Sequence, residues 1–247
     1  MWRTGRNRSV INIHDRYRNA IRKLDDAQVA DRRSMRSARH PPRAAVPAPL
    51  RCGASVVRVS PSRPLRLLMD ARYTRTDFHD GISRYGASLI EAVARRAAAP
   101  GPAGADVEVA MLISDERQLA LLPDGVPWHL VSGPTSPREP FVARQVARLR
   151  PDVVFSPMQT MGSWGRDYAL ILTLHDLIYY EHRTPPRNLP EPIRWLWRAY
   201  HLTKTPQRLL LDRADAVATV SRTTAELIAR HRLTRRPVHV IANAAQA

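Results

Sequence analysis

From Leu65 onward, short apolar runs alternate with amphipathic segments, and this alternation restricts the chain to a small set of folds. Leu65-Arg66-Leu67-Leu68-Met69-Asp70 lies between Pro64 and a polar loop, which suits a buried strand. After the loop Ala71–Asp80, Gly81 opens a helical pattern. Ile82, Tyr85, Leu89, Ile90, Val93 and Ala97 share one face, and Arg84, Ser88, Glu91 and Arg95 the other. The alternation continues with a strand at Val107–Ile113, a brief helix at Glu116–Leu121, a weak strand at Trp128–Val131 and a helix at Pro140–Leu149. Val153–Phe155 and Ala169–Leu174 read as strands, and Glu191–Thr203 as a helix with Ile193, Leu196, Trp197 and Tyr200 on one face. Pro206 suits the first turn of a further helix. A strand at Ala216–Val220, a helix at Thr223–His231 capped by Ser221 or Thr223, and a strand at Val238–Ile241 complete the series. Strands apolar on both faces must be covered twice. The expected fold is therefore α/β: a doubly wound, mainly parallel, Rossmann-like sheet with helices on both faces.

The preceding residues follow other rules. The formal charge of +17 is uneven, with 15 Lys+Arg against 4 Asp+Glu in residues 1–64 and 24 against 18 beyond them. That arm is rich in Arg and Pro and has few periodic apolar residues, so it cannot offset its ordering entropy and is expected to be disordered. A short helix across Val10–Val29 is the one local pattern in it. Two readings of the arm stay open: attraction to phosphates of nucleic acid or an anionic bilayer, and a solvated tail. Only Lys23 and Lys204 are lysines among the 39 basic residues, so the Arg bias looks compositional, and nucleic acid is not the expected partner. No apolar run approaches the roughly 18 residues of a membrane span, and no secretory signal is visible. With Cys52 as the single cysteine, no intramolecular disulfide can form, and a reduced, cytoplasmic setting is expected.

In open α/β sheets, ligands bind beyond the carboxyl ends of the strands. That rule selects Asp70 and Arg72, Ser156 to Gln159, His175 with Asp176, and Ser221 with Arg222, together with Gly81 at a helix start, where backbone N–H groups favour an anion. Each has a plainer alternative. Gly81 can serve only a tight turn, His175 can bond a backbone carbonyl, and Asp176 can cap a turn. Arg84 can be merely solvated, Ser221 can be a helix cap, and Trp195, Trp197 and Tyr200 can be core. Metal-binding His and Cys patterns, phosphate-loop glycine motifs and the hydrolase nucleophile elbow are missing from the sequence.

The series resembles the N-terminal domain of a family 4 glycosyltransferase of the GT-B type. The similar stretches are Leu65–Ala71, Gly81-Ile82-Ser83-Arg84-Tyr85, Arg150–Pro157, Leu172–Ile178 with its His175-Asp176 pair, Arg213–Ser221 and Val238–Asn243. The resemblance implies that residues 65–243 form the acceptor-binding domain of a retaining enzyme. Such an enzyme moves a sugar from a nucleotide-sugar to a hydroxyl of a glycan or lipid-linked acceptor. By analogy His175 is the catalytic-site residue near the transferred sugar, with Gly81, Arg84, Asp176 and Ser156 contacting substrate. No metal or resident cofactor is implied; the nucleotide-sugar is a co-substrate. Residues 244–247 would begin the interdomain linker, and no Glu-x7-Glu donor motif follows in this sequence. The expectation is thus an acceptor half, inactive alone, either truncated or working with a separate donor domain, in the cytoplasm or at the inner face of the membrane. The competing expectation is a noncatalytic Rossmann-like binding protein whose basic arm contacts nucleic acid or a membrane surface.

Overall fold

The computed structural model describes residues 63–99, 107–181, 184–185 and 190–243. The Arg/Pro-rich arm, its helix at Val10–Val29 and Cys52 lie outside the described residues, as do 244–247. Seven strands form one sheet: β1 (Leu65–Asp70), β2 (Val107–Ile113), β3 (Trp128–Leu130), β4 (Val153–Ser156), β5 (Ala169–Leu174), β6 (Ala216–Thr219) and β7 (Val238–Val240). Their order is β3-β2-β1-β4-β5-β6-β7, and every pairing is parallel. The direction of winding reverses between β1 and β4, so the loops leaving those two strands diverge and open a crevice.

The pleat explains why the strands read as continuous apolar runs. Leu67 and Met69, Met111 and Ile113, Val153 and Phe155, and Ala169 and Ile171 gather on one face with Tyr85, Leu89, Ile90 and Val93 of α1 (Gly81–Ala98). Their odd-even neighbours Leu68, Leu112, Val154, Leu170 and Leu172 gather on the opposite face with Val142, Ala143 and Val146 of α2 (Val142–Ala147). Farther along that second face, Leu211 of α5 (Thr205–Leu211) and Ile228 of α6 (Arg222–Arg230) pack with Val217. The inner strands β4, β5 and β6 therefore bury both sides, while edge strand β3 leaves Trp128 and Leu130 exposed; a polar residue inside an inner strand would need a partner. Thr173 shows the rule: its hydroxyl donates to the Ser156 carbonyl at 2.8 Å, tying β5 to β4.

At the amino ends of the strands, one device is used twice. Asp152, just before β4, accepts from the backbone N–H of Arg66 in β1 at 3.0 Å and pairs with Arg63 at 2.8 Å. Asp215, just before β6, accepts from the backbone N–H of Leu170 in β5 at 2.9 Å and pairs with Arg166 at 2.6 Å. Both aspartates lie in stretches that carried the resemblance. Their work is to lock strand register at the edge away from the crevice.

The local elements largely match the sequence pattern, with instructive exceptions. Glu116–Leu121 is a 3-10 helix whose Asp115 and Gln118 form a reciprocal cap. The segment expected as a helix from Pro140 starts as a 3-10 turn (Glu139–Phe141) before becoming α2. A one-turn helix α3 (Ile178–Glu181) follows β5, and no periodicity shorter than two turns could have announced it. Ser221 caps α6, accepting from Thr224 N–H at 3.0 Å. The expectation that Trp195 of α4 (Glu191–Leu202) is core is corrected, since it is 68% exposed; Trp197 is half-buried, and the side chain of Tyr200 lies outside the described residues. Helical spacing defines an apolar stripe but says nothing of what, if anything, covers it.

Candidate functional site

The crevice at the β1/β4 reversal is built around a buried arginine. Asp70 ends β1, and the chain turns so that Arg72, two residues on, folds back over it. Arg72 Nε donates to Asp70 Oδ1 at 2.8 Å and Nη2 to Asp70 Oδ2 at 3.1 Å. The same guanidinium reaches Glu139, 67 residues away, through Nη1 to Oε2 at 2.7 Å and Nη2 to Oε1 at 3.1 Å. Its fifth bond runs from Nη1 to the Ser132 carbonyl at 2.9 Å. A guanidinium has five N–H donors, and here all five are engaged. Both Arg72 and Asp70 side chains are fully shielded from solvent. Burial alone would depress the Arg72 pKa, but the charges and hydrogen bonds of Asp70 and Glu139 outweigh it, and the net shift is upward.

Two further groups complete the cluster. Ser156, at the end of β4, donates its hydroxyl to Asp70 Oδ2 at 3.0 Å. Glu139 accepts from the Gly162 backbone N–H at 3.0 Å. The chain passes so close there that a Cβ on Gly162 would lie 1.8 Å from the Glu139 carbonyl oxygen, so only glycine fits. The network thus pins β1, β4, the segment before α2 and the loop after β4 at one rim.

His175 leaves β5 at the same edge. Its Nε2 donates to the Pro157 carbonyl at 2.7 Å, which makes Nδ1 the acceptor nitrogen of the neutral ring. The Tyr85 ring meets the imidazole edge-on, with centroids 5.2 Å apart and planes at 84°. The His175 carbonyl accepts from the Thr224 hydroxyl of α6 at 3.2 Å. Burial lowers the pKa of this histidine, against the opposing influences of the Pro157 bond and the Asp176 charge.

The structure brings the sequence-selected residues to this rim in different settings. Tyr85 belongs to the opening turns of α1, so its ring contact places the start of that helix, with Gly81 and the exposed Arg84, beside the loop of His175. Gly81 has an ordinary backbone conformation and nothing within 4 Å of where a Cβ would stand; no contact within the fold requires glycine there. Asp80 already caps α1, accepting from Ser83 N–H at 2.8 Å, so a carboxylate occupies the place where an anion was expected. Asp176 is exposed and accepts from Ile178 N–H at 3.1 Å, capping α3. Ser156 is fully buried beneath Asp70. Sequence reasoning missed Glu139, Tyr85 and Thr224. The Asp70–Arg72 spacing at a strand exit was a usable signal for that pair; nothing local marks Glu139 as its distant partner.

A parallel doubly wound sheet of this order defines a Rossmann-like α/β domain. A family model described as Glycosyltransferase Family 4 matches residues 79–246, and the chain belongs to that family. Comparison with curated proteins returns no match. Among the described residues, no group of three or more His, Cys, Asp or Glu side chains could hold a metal ion, and no helix is long and apolar enough to cross a membrane.

Two measurements check this geometry. Arg72→Met leaves Asp70 and Glu139 buried without their cation, so the urea midpoint should fall by the equivalent of about 3–5 kcal/mol; a loss below about 1 kcal/mol would mean that the pair is solvated. For His175, the folded pKa lies below the ordinary value of about 6.5, so the unfolded chain binds its proton first as pH falls. Stability should therefore be unaffected by this group above about pH 6.5 and should decline as pH drops through that range. His175→Gln should flatten that part of the pH–stability curve, and an unchanged curve would show that the imidazole is not held neutral.

Proposed function

We propose that residues 65–243 form the acceptor-side lobe of a retaining GT-B glycosyltransferase, with the nucleotide-sugar held mainly by a second lobe across the cleft. The observation that carries this reading is the neutral His175 at the rim, fixed through Nε2, with Nδ1 left to accept a hydrogen bond, in a chain of family 4. An imidazole in that tautomer suits a sugar hydroxyl, which can donate, better than a phosphate, which cannot. The Asp80 carboxylate at the start of α1 points the same way, because it disfavours a second anion there. The open space before Gly81 gives a bulky, hydroxyl-rich ligand room to reach the backbone. Arg84, exposed in the same turn, is placed to bond ligand oxygens or to meet the donor's diphosphate from this side of the cleft.

In this reading the bond between the anomeric carbon and the diphosphate oxygen breaks as the acceptor oxygen bonds that carbon, and the acceptor proton leaves with the departing diphosphate. Positioning and charge stabilisation supply the acceleration. His175 holds a hydroxyl near the reacting centre. Ser156 acts one step back, through Asp70, and Asp176 through the α3 turn it caps. The lobe works on an acceptor in the cytoplasm or at the inner face of the membrane.

Gly81→Val separates function from folding. Valine has better helix propensity than glycine by a few tenths of a kcal/mol, so the urea midpoint should hold or rise. The side chain should nonetheless fill the ligand space, and transfer by the two-lobed enzyme should fall at least about tenfold, a loss of about 1.4 kcal/mol. Full activity in that variant would remove Gly81 from the site. Purified 1–247 given UDP-glucose, UDP-N-acetylglucosamine or GDP-mannose with oligosaccharide or lipid-linked acceptors should release no nucleoside diphosphate above blank. Turnover by this chain alone would overturn the division of labour between lobes.

A further inference from the structure

Helix α4 is amphipathic but sits the wrong way out. Pro192, Trp195, Leu196, Ala199 and Leu202 recur at the spacing of one helical stripe, and all are exposed; Trp195, Leu196 and Leu202 stand at 68%, 67% and 65%. Arg194 and Arg198 are more covered than this stripe. Arg194 pairs with Glu191, and the Arg198 guanidinium lies 5.8 Å from the Trp195 ring centroid. The helix is nonetheless docked: Trp197, beside the stripe, meets Tyr179 of α3 edge-on at 5.4 Å. Leu209 of α5 at 66% and Ile178 of α3, the helix against which α4 packs, at 53% are exposed as well. A soluble monomer scatters its exposed apolar residues; an exposed helical stripe of this kind marks a surface that is covered in use.

The charges select the occupant. The segment 191–213 carries Arg194, Arg198, Lys204, Arg208 and Arg213 against Glu191 and Asp212, a net positive charge. Bringing two copies of such a segment together would oppose like charges. An anionic lipid surface complements them, and tryptophan and leucine flanked by arginine are the residues of a helix lying in the headgroup–acyl boundary. We propose that the α4 stripe docks this domain on an anionic bilayer, with Trp195, Leu196 and Leu202 in the acyl boundary and Arg198 among the headgroups. Because α3 joins α4 to the His175 loop, the lipid surface then lies beside the rim.

The experiment needs no sugar donor, so its failure is distinct from failure of the transferase reading. The full chain is sedimented with phosphatidylcholine vesicles with and without phosphatidylglycerol. Since residues 1–62 are also basic, the decisive variant, Trp195→Ser with Leu196→Ser, changes apolarity and not charge. Wild type should bind the anionic vesicles, the double variant at least about tenfold more weakly, and Leu130→Ser, exposed on the far edge strand β3, like wild type. In the wild-type chain, brominated acyl chains should quench tryptophan emission, and Trp195→Phe should remove most of that quenching. The proposal is overturned by no vesicle binding, by equal binding of the double variant, by an equal loss in Leu130→Ser, by absence of quenching, or by a dimer in solution that the double variant disperses.

Discussion

The Arg72 guanidinium uses every N–H it has, and the carboxyl edge of the sheet at the β1/β4 reversal is held by that one group. Two carboxylates buried at a sheet edge would repel each other and expel the loops that carry them. One cation between them reverses the sign of the interaction and fixes their separation. Asp70 comes from a strand end and Glu139 from a turn far along the chain, so the pairing also sets the distance between those segments. Ser156 and the Gly162 N–H fill remaining acceptor sites on the carboxylates. A polar cluster of this kind contributes less net stability than its list of bonds suggests, since each ion was first desolvated. Its effect is geometric: it fixes the spacing of the segments it joins.

That geometry gives meaning to the split between the two edges of the sheet. Asp152 and Asp215 lock register at the amino edge, each bonding the backbone of a neighbouring strand, and neither is near the crevice. The carboxyl edge holds the partly exposed His175, bonded through Nε2, the exposed Arg84 and the unfilled space before Gly81. His175 is restrained through its ring nitrogen, its ring edge and its backbone carbonyl. A side chain held at three points loses little further freedom on meeting a ligand, the condition under which positioning assists a reaction.

The apolar stripe of α4 differs in kind from the core. The core clusters are closed: Leu170, Ile171 and Leu172 alternate faces within β5 and have no exposure at all. The α4 stripe is also apolar and regularly spaced, yet it faces solvent, with Arg198 lying over the exposed Trp195 ring. An environment less polar than water is its natural complement, and basic flanks narrow that environment to an acidic one.

Much of this was legible in residue order. The period-two and near-3.6 patterns dictated strands and helices because a side chain's face follows from its position in the chain. Runs apolar on both faces required a parallel sheet under two layers, and that requirement placed loops, and hence His175 and Gly81, at one edge. Contacts that join distant segments left no local trace: nothing around Glu139 names Arg72 as its partner, and Tyr85 gave no sign that its ring would meet an imidazole 90 positions later. Nor could periodicity tell the stripe of α4 from that of α1, since both repeat alike. Which stripe is buried depends on what packs against it, and that is a property of the folded chain and not of any window along it.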